Sequence, residues 1–164
     1  MRKIVVIAHN LRSIHNVGSL LRTAEGLGIE EVFLTGYSPY PNQKDDARLP
    51  HQITKINSQI SKTALGAEII LGKHADDIFE LINHLKAERY IISALEQDDR
   101  SIELNSYDPP DKVALIIGRE VEGIEKEILD QCDSILQIPM FGQKESFNVV
   151  QAAAMALYKL RFSK

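Results

Sequence analysis

The chain has 164 residues, 44% of them hydrophobic and 26% charged, with a formal net charge of −4. That size favours one domain over residues 1–164, able to bury a core without disulfides or metal. The charge does not mark the whole surface for nucleic acid, although a local basic patch would be enough. No apolar run approaches the roughly 18 residues of a membrane helix, so no membrane partner is expected. The opening MRKIVVIAHN has too short an apolar stretch, and no small-residue cleavage site, for a secretory signal. The lone Cys132 excludes an internal disulfide and fits a reducing cytoplasm.

Residues 3–8 (KIVVIA) form a continuous β-branched run, as in a strand buried within a parallel sheet. Residues 10–16 are a polar turn. Val17, Leu20, Leu21, Ala24 and Leu27 then recur at helical spacing, with Gly28 as a stop. Residues 31–34 (EVFL) read as a second strand. Residues 35–52 hold three prolines and few apolar side chains, which predicts a long mobile loop of a kind that is often functional. Ile53, Ile56, Ile60 and Ala64 mark a second helix ending at Gly66. Residues 68–71 read as a short strand, 76–86 as a helix with Ile78, Leu81, Ile82 and Leu85 inward, and 90–95 as a strand. After an acidic stretch and Asp108-Pro109-Pro110 come a buried-type strand at 113–117 (VALII), a short helix near 124–131, a strand at 134–138 and a last helix at 146–162. Strands alternate with helices throughout, which predicts an α/β domain with a mostly parallel sheet flanked by helices. Ligands in such sheets gather beyond the carboxyl ends of the strands.

Three polar segments follow strands. In NLRSIHNVGSLLR, Asn16 is a candidate helix cap and Gly18 permits close approach of a ligand or another backbone. Arg22 lies off the apolar stripe on the face of Ser19, where its guanidinium either holds a phosphate or is merely solvated. In GREVEGI, Gly118 and Gly123 bracket Glu120; Gly118 would let a ligand lie against the strand end, and Glu120 would accept hydrogen bonds from a ligand or a neighbouring loop. Taken alone, this segment is better explained as a tight strand-to-helix turn, and it has neither the P-loop nor the dinucleotide-turn pattern. In IPMFGQKESFN, Pro139 keeps Ile138 extended and Ser146 has the chemistry of a cap for the last helix.

Their order and spacing, taken together, resemble the three motifs of the SpoU/TrmH branch of the SPOUT RNA methyltransferases. Asn-x5-Arg follows the first strand, a glycine-bracketed Glu follows a late strand, and Ile-Pro-Met-x-Gly leads into Ser-x-Asn at the last helix. The likeness covers essentially the whole chain. It departs at Arg119 and Val121, where the family commonly has Asn and Gly, and at Phe147, where it commonly has Leu.

This resemblance implies a C-terminal deep trefoil knot that binds S-adenosylmethionine. Its pocket would thread together the end of strand 90–95, the turn at Gly118 and residues 138–147. Backbone groups near Leu95, Gly118, Ile138 and Met140 would hold adenine and ribose, with Ser146 and Phe147 in the same wall. The implied reaction is methyl transfer to a ribose 2′-OH of RNA, with tRNA favoured over rRNA. Arg22 matches the family's catalytic arginine; holding phosphate and stabilising a developing alkoxide suit a guanidinium better than proton abstraction. Asn16 would position Arg22 or the ribose, Glu120 would orient the cluster, and Ser146 and Asn148 would fix the substrate and the last-helix turn. The donor's sulfonium makes a metal unnecessary.

The resemblance further implies a homodimer that completes the site across its interface. The small faces offered by Ala152, Ala153, Ala154 and Ala156 suit close packing, within one chain or between two. Arg12, His15, Lys44 and Arg48, with Arg2, Lys3 and His9, form a candidate basic rim for RNA, and Tyr37 and Tyr40 are available for stacking. A solvated loop is the plain alternative. The competing function is a non-catalytic RNA-binding or assembly factor with the same fold.

Overall fold

The sheet has seven strands in the order β3-β2-β1-β6-β4-β7-β5, and every pairing is parallel. A computed structural model describes residues 1–163. In chain order the elements are β1 (Lys3–His9), α1 (Ile14–Gly26), β2 (Glu31–Thr35), α2 (Pro50–Ala64), α3 (Ala67–Ile70), β3 (Gly72–Ala75), α4 (Ile78–Ala87), β4 (Ile91–Leu95) and β5 (Ile102–Glu103). A 3-10 turn (Leu104–Ser106), β6 (Lys112–Ile117), α5 (Lys126–Leu129), β7 (Ser134–Gln137) and α6 (Val149–Phe162) complete the chain.

Alternation along the strands divides the core in two. Ile4, Val6 and Ala8 of β1 face Leu20 and Leu21 of α1, Ile60 of α2 and Leu157 of α6. Val5 and Ile7 face the other way, onto Ile78, Ile82 and Leu85 of α4 and Ile128 of α5. Both faces of β1 and β6 are thereby covered, which is why their sequences read as unbroken apolar runs. The alanines of α6 serve this core: Ala153 and Ala156 are fully buried within the chain.

Gly18 sets how closely α1 and α2 pack. A Cβ there would lie 2.1 Å from Thr63 Oγ1 and 2.5 Å from the Ile60 carbonyl oxygen. The close approach that this glycine permits is therefore to another helix.

The structure corrects several sequence expectations. Residues 67–70 are helical: Gly66 turns the chain at φ 102°, and the Glu68 carboxylate accepts from the Gly66 N–H at 2.9 Å. The strand comes next, at Gly72–Ala75. The cap of α1 is Ser13, whose hydroxyl accepts from the Asn16 N–H at 3.2 Å, so Asn16 lies inside the first turn. The cap of α6 is Asn148, bonded to the Val150 N–H at 2.9 Å, and Ser146 lies outside the helix. Helix α5 is shorter than expected, and β5 follows an acidic stretch that gives no apolar signal. Residues 36–49 carry no regular element but are pinned. Tyr40 stacks on His74 with centroids 3.8 Å apart, the Arg48 guanidinium lies 3.6 Å from the Tyr40 centroid, and Arg48 Nε donates to Asp46 at 2.9 Å. That guanidinium holds the Asp46 carboxyl well below the usual carboxylate range.

A partly buried polar cluster fastens the ends of β1, β2 and β6 to the turn that follows β6. Asn10, at φ 58°, donates through Nδ2 to His9 Nε2 (2.9 Å) and to Glu125 (3.1 Å), and its Oδ1 accepts from the Tyr37 N–H at 3.0 Å. His9 Nδ1–H donates to Thr35 Oγ1 at 2.8 Å, and Arg119 pairs with Glu125 at 3.2 Å. Burial pushes the His9 imidazole below its ordinary value; Glu125 opposes this and Arg119 adds to it.

Two outcomes follow. Gly18→Ala forces α1 and α2 apart and lowers stability by about 1–3 kcal/mol in urea unfolding; an unchanged midpoint would show that the helices part freely. His9 binds its proton more weakly folded than unfolded, so its contribution is complete above the reference value of 6.5 and falls away as pH drops below it. The melting temperature of the wild type therefore declines on acidification below 6.5, and His9→Gln makes that decline shallower. Parallel pH curves for the two proteins would refute the assignment.

Candidate active site

A cavity of about 280 Å³ opens beyond the carboxyl ends of β4, β6 and β7. Leu95, Ile117, Leu136 and Ile138 supply apolar walls where the strands end. Residues 118–123 form one side, and Glu145, Ser146 and Phe147 close the other ahead of α6. The strand order creates this meeting: β6 lies between β1 and β4, and β4 lies between β6 and β7, so chain segments far apart in sequence end side by side.

The turn after β6 is a closed structure. A Cβ on Gly118 would meet the Gly123 carbonyl carbon and the Ile124 nitrogen, each at 2.9 Å. The space beside Gly118, which the sequence leaves open to a ligand, is filled by the turn itself, with the Ile124 side chain nearest at 2.5 Å. Gly123 has φ +71°, and a Cβ there would lie 2.3 Å from Glu96 Oε2. Glu96, the first residue after β4, accepts from the Ile124 N–H at 2.9 Å and so ties this turn to the neighbouring strand.

Glu120 joins the first and second polar segments. Its carboxylate accepts from Asn16 Nδ2 at 3.1 Å and, at 3.4 Å each, from the Arg12 and Ser13 N–H groups. Partial burial works against its charge, and these hydrogen bonds outweigh that effect, holding its pKa below the ordinary glutamate value.

Of the residues singled out from sequence, Leu95, Gly118, Glu120, Ile138, Ser146 and Phe147 line the cavity. Asn16 stands one hydrogen bond behind it, through Glu120. Asn148 is exposed and caps α6. Met140 is half-buried and outside the lining. Arg22 is exposed on α1, also outside the lining; six residues of helix put it roughly 9 Å along the axis from Asn16.

The basic rim is smaller than its sequence suggested. Arg48 is committed to Asp46 and Tyr40, and Tyr40 to His74. His9 is buried, while Arg2 lies at the opposite, amino end of the central strands, donating to the Pro109 carbonyl at 3.1 Å. Arg12, His15, Lys44 and Tyr37 remain exposed, with Arg12 paired to Glu122 at 3.0 Å. Sequence reasoning missed Glu96, Gln97, Arg119, Glu122 and Glu145 in the cavity wall, and Asn10 and Glu125 behind it. The strand-end rule points to Glu96 and Gln97, which directly follow β4. Among the described residues no group of His, Cys, Asp and Glu is arranged to hold a metal ion.

Comparison with known proteins places this architecture. The 23S rRNA (guanosine-2'-O-)-methyltransferase RlmB of Acinetobacter baylyi is 30% identical over 146 residues, covering 88% of this chain and 54% of that protein. The chain spans about half the length of the curated relatives it matches, 54–58% for the first three. In fold it is similar to an AdoMet-bound rRNA methyltransferase from Sinorhizobium meliloti (TM-score 0.80, 19% identity, 97% of this chain and 56% of that one). It is also similar to the A. aeolicus TrmH/SpoU tRNA modifying enzyme (TM-score 0.77, 21% identity, 98% of this chain and 75% of that one). The profile described as the SpoU rRNA Methylase family matches residues 3–158, and the chain belongs to that family.

Proposed function

We propose that the chain is an S-adenosylmethionine-dependent methyltransferase acting on a ribose 2′-OH of RNA, with tRNA as the first candidate, and that a cytoplasmic homodimer is the working unit. One observation carries this reading: the Asn16–Glu120 hydrogen bond, the turn bearing Glu120 and the Ser146–Phe147 wall meet at a single cavity. Family membership supports it, as does the name of the Acinetobacter relative, a guanosine-2'-O-methyltransferase. A Sinorhizobium protein of the same fold is described with AdoMet bound.

The cavity suits such a donor. Its apolar walls at the strand ends offer a slot for a purine, and its polar rim offers groups for a ribose and an amino-acid tail. S-adenosylmethionine supplies a methyl group already activated on a sulfonium centre. The chain's own residues then have to place an acceptor hydroxyl and stabilise its oxygen as the proton leaves. The Arg22 guanidinium suits the phosphate beside that ribose and the developing alkoxide. Glu120, held ionised, fixes the 12–16 turn from which α1 carries Arg22. The Ser146 hydroxyl lies in the cavity wall, and Asn148 anchors that wall by capping α6.

In a single chain Arg22 stands off the cavity, so this reading requires a second copy to bring it there. Support for pairing lies on the outward side of α6, where Met155, Tyr158 and Phe162 are exposed at helical spacing. The same reading includes the C-terminal knot, with residues 138–148 passing beneath the connection that leaves β4. Consistent with this, Gln97 Nε2 donates to the Glu145 carbonyl at 2.9 Å, joining those two stretches.

The position of Arg22 also favours a second reading, an RNA-binding factor of this fold without catalysis. Labelled S-adenosylmethionine with total RNA, followed by mapping of 2′-O-methyl sites, separates the two. Transfer to one ribose is expected, and Arg22→Ala should reduce it by about 10²–10³-fold with an unchanged circular dichroism spectrum. Tight RNA binding without transfer supports the second reading, and full activity in the variant removes Arg22 from the mechanism.

A further inference from the structure

The cavity has a conspicuous charge imbalance. Four acidic residues line it, Glu96, Glu120, Glu122 and Glu145, against one basic residue, Arg119. Arg119 is already paired with Glu125 at 3.2 Å, and Glu122 with Arg12 at 3.0 Å. Among the described residues, Glu96, Glu120 and Glu145 have no cationic partner. Two of the three are fixed in place. Glu96 accepts from the N–H groups of Gln97 and Ile124 at 2.9 Å each, and Glu120 from Asn16 and the 12–13 backbone. Glu145 is exposed at the mouth. Lys144 precedes it in sequence but lies outside the lining. Like charges beside apolar walls focus a field into the space between them.

We infer that this uncompensated negative lining selects a cationic ligand, so that the site distinguishes methyl donor from spent product by charge. The inference rests on the methyl-donor reading above. In the transfer the S–CH3 bond breaks with its electron pair left on sulfur, the O–CH3 bond forms and the hydroxyl proton goes to solvent. The ligand's sulfur thus changes from a sulfonium cation to a neutral thioether, while its zwitterionic amino-acid tail and its adenosine are unchanged. The acidic lining attracts the first and is indifferent to the second. Transfer itself therefore weakens the hold on the product, and Glu145 is a residue that sets this specificity.

Calorimetric titration tests it with three ligands: S-adenosylmethionine, S-adenosylhomocysteine, and sinefungin, which carries an ammonium near the sulfonium position. Glu145→Gln should weaken the two cationic ligands by about three- to tenfold, the scale of one partly screened charge, and leave the thioether within about twofold. Glu122→Gln, whose charge Arg12 already balances, should change the ratio of cationic to neutral affinity by less than about twofold. Equal weakening of all three ligands by Glu145→Gln, or no weakening of any, overturns the inference and leaves the methyl-donor reading standing. Failure of the wild type to bind any of the three overturns both.

Discussion

The pairing of β1 with β6 carries the rest of the site. These strands run from Lys3 opposite Lys112 to Ala8 opposite Ile117, more than a hundred positions apart in sequence, and both are buried on their two faces. A slip of one residue would turn each apolar side chain toward the wrong half of the core, so the register is strongly specified. That register delivers His9 and Asn10 beside Gly118 and sets the first helix against the 118–123 turn. The bonds from Asn16 to Glu120 and from Asn10 to Glu125 can form only because the strands stop level with each other.

Carboxylates do much of the positioning in this fold. Glu120, Glu96 and Glu68 each accept a backbone N–H from a loop or helix start, and charge-assisted bonds of this kind are stronger than neutral ones. The arginines divide differently. Arg48 and Arg119 are tied to acidic neighbours inside the fold, whereas Arg22 is exposed on α1 and has no ion-pair partner among the described residues. A residue's type therefore says little about its availability, and its neighbours in space decide it.

That distinction marks what the sequence could and could not reveal. The buried strands and the helices α1, α2, α4 and α6 were legible because continuous β-branched runs and helical spacing reflect burial directly. The stretch at 68–71 was misread because four apolar-rich residues fit a strand or a helical turn equally well. Its conformation was decided by Gly66 and by the Glu68 carboxylate reaching back to it. Ser13 and Asn148 displaced the expected caps by a few residues, since several polar side chains before each helix had suitable chemistry. At the site, the motif residues Gly118, Glu120, Ser146 and Phe147 were visible as a set, while Glu96 and Glu145 have meaning only through the strand order that brings them together. Arg48 and Tyr40 looked like an RNA contact because the stack on His74 leaves no local trace in the sequence.

The Glu96 carboxylate touches more than its size suggests. Through the Ile124 N–H it holds the floor of the cavity, and through the adjacent Gln97 it is linked to the segment that closes the far side. The three walls are thus bonded to one another and cannot swing aside separately. Loss of that one carboxylate would therefore loosen two sides of the cavity at once, the turn that carries Gly123 and the stretch that carries Glu145.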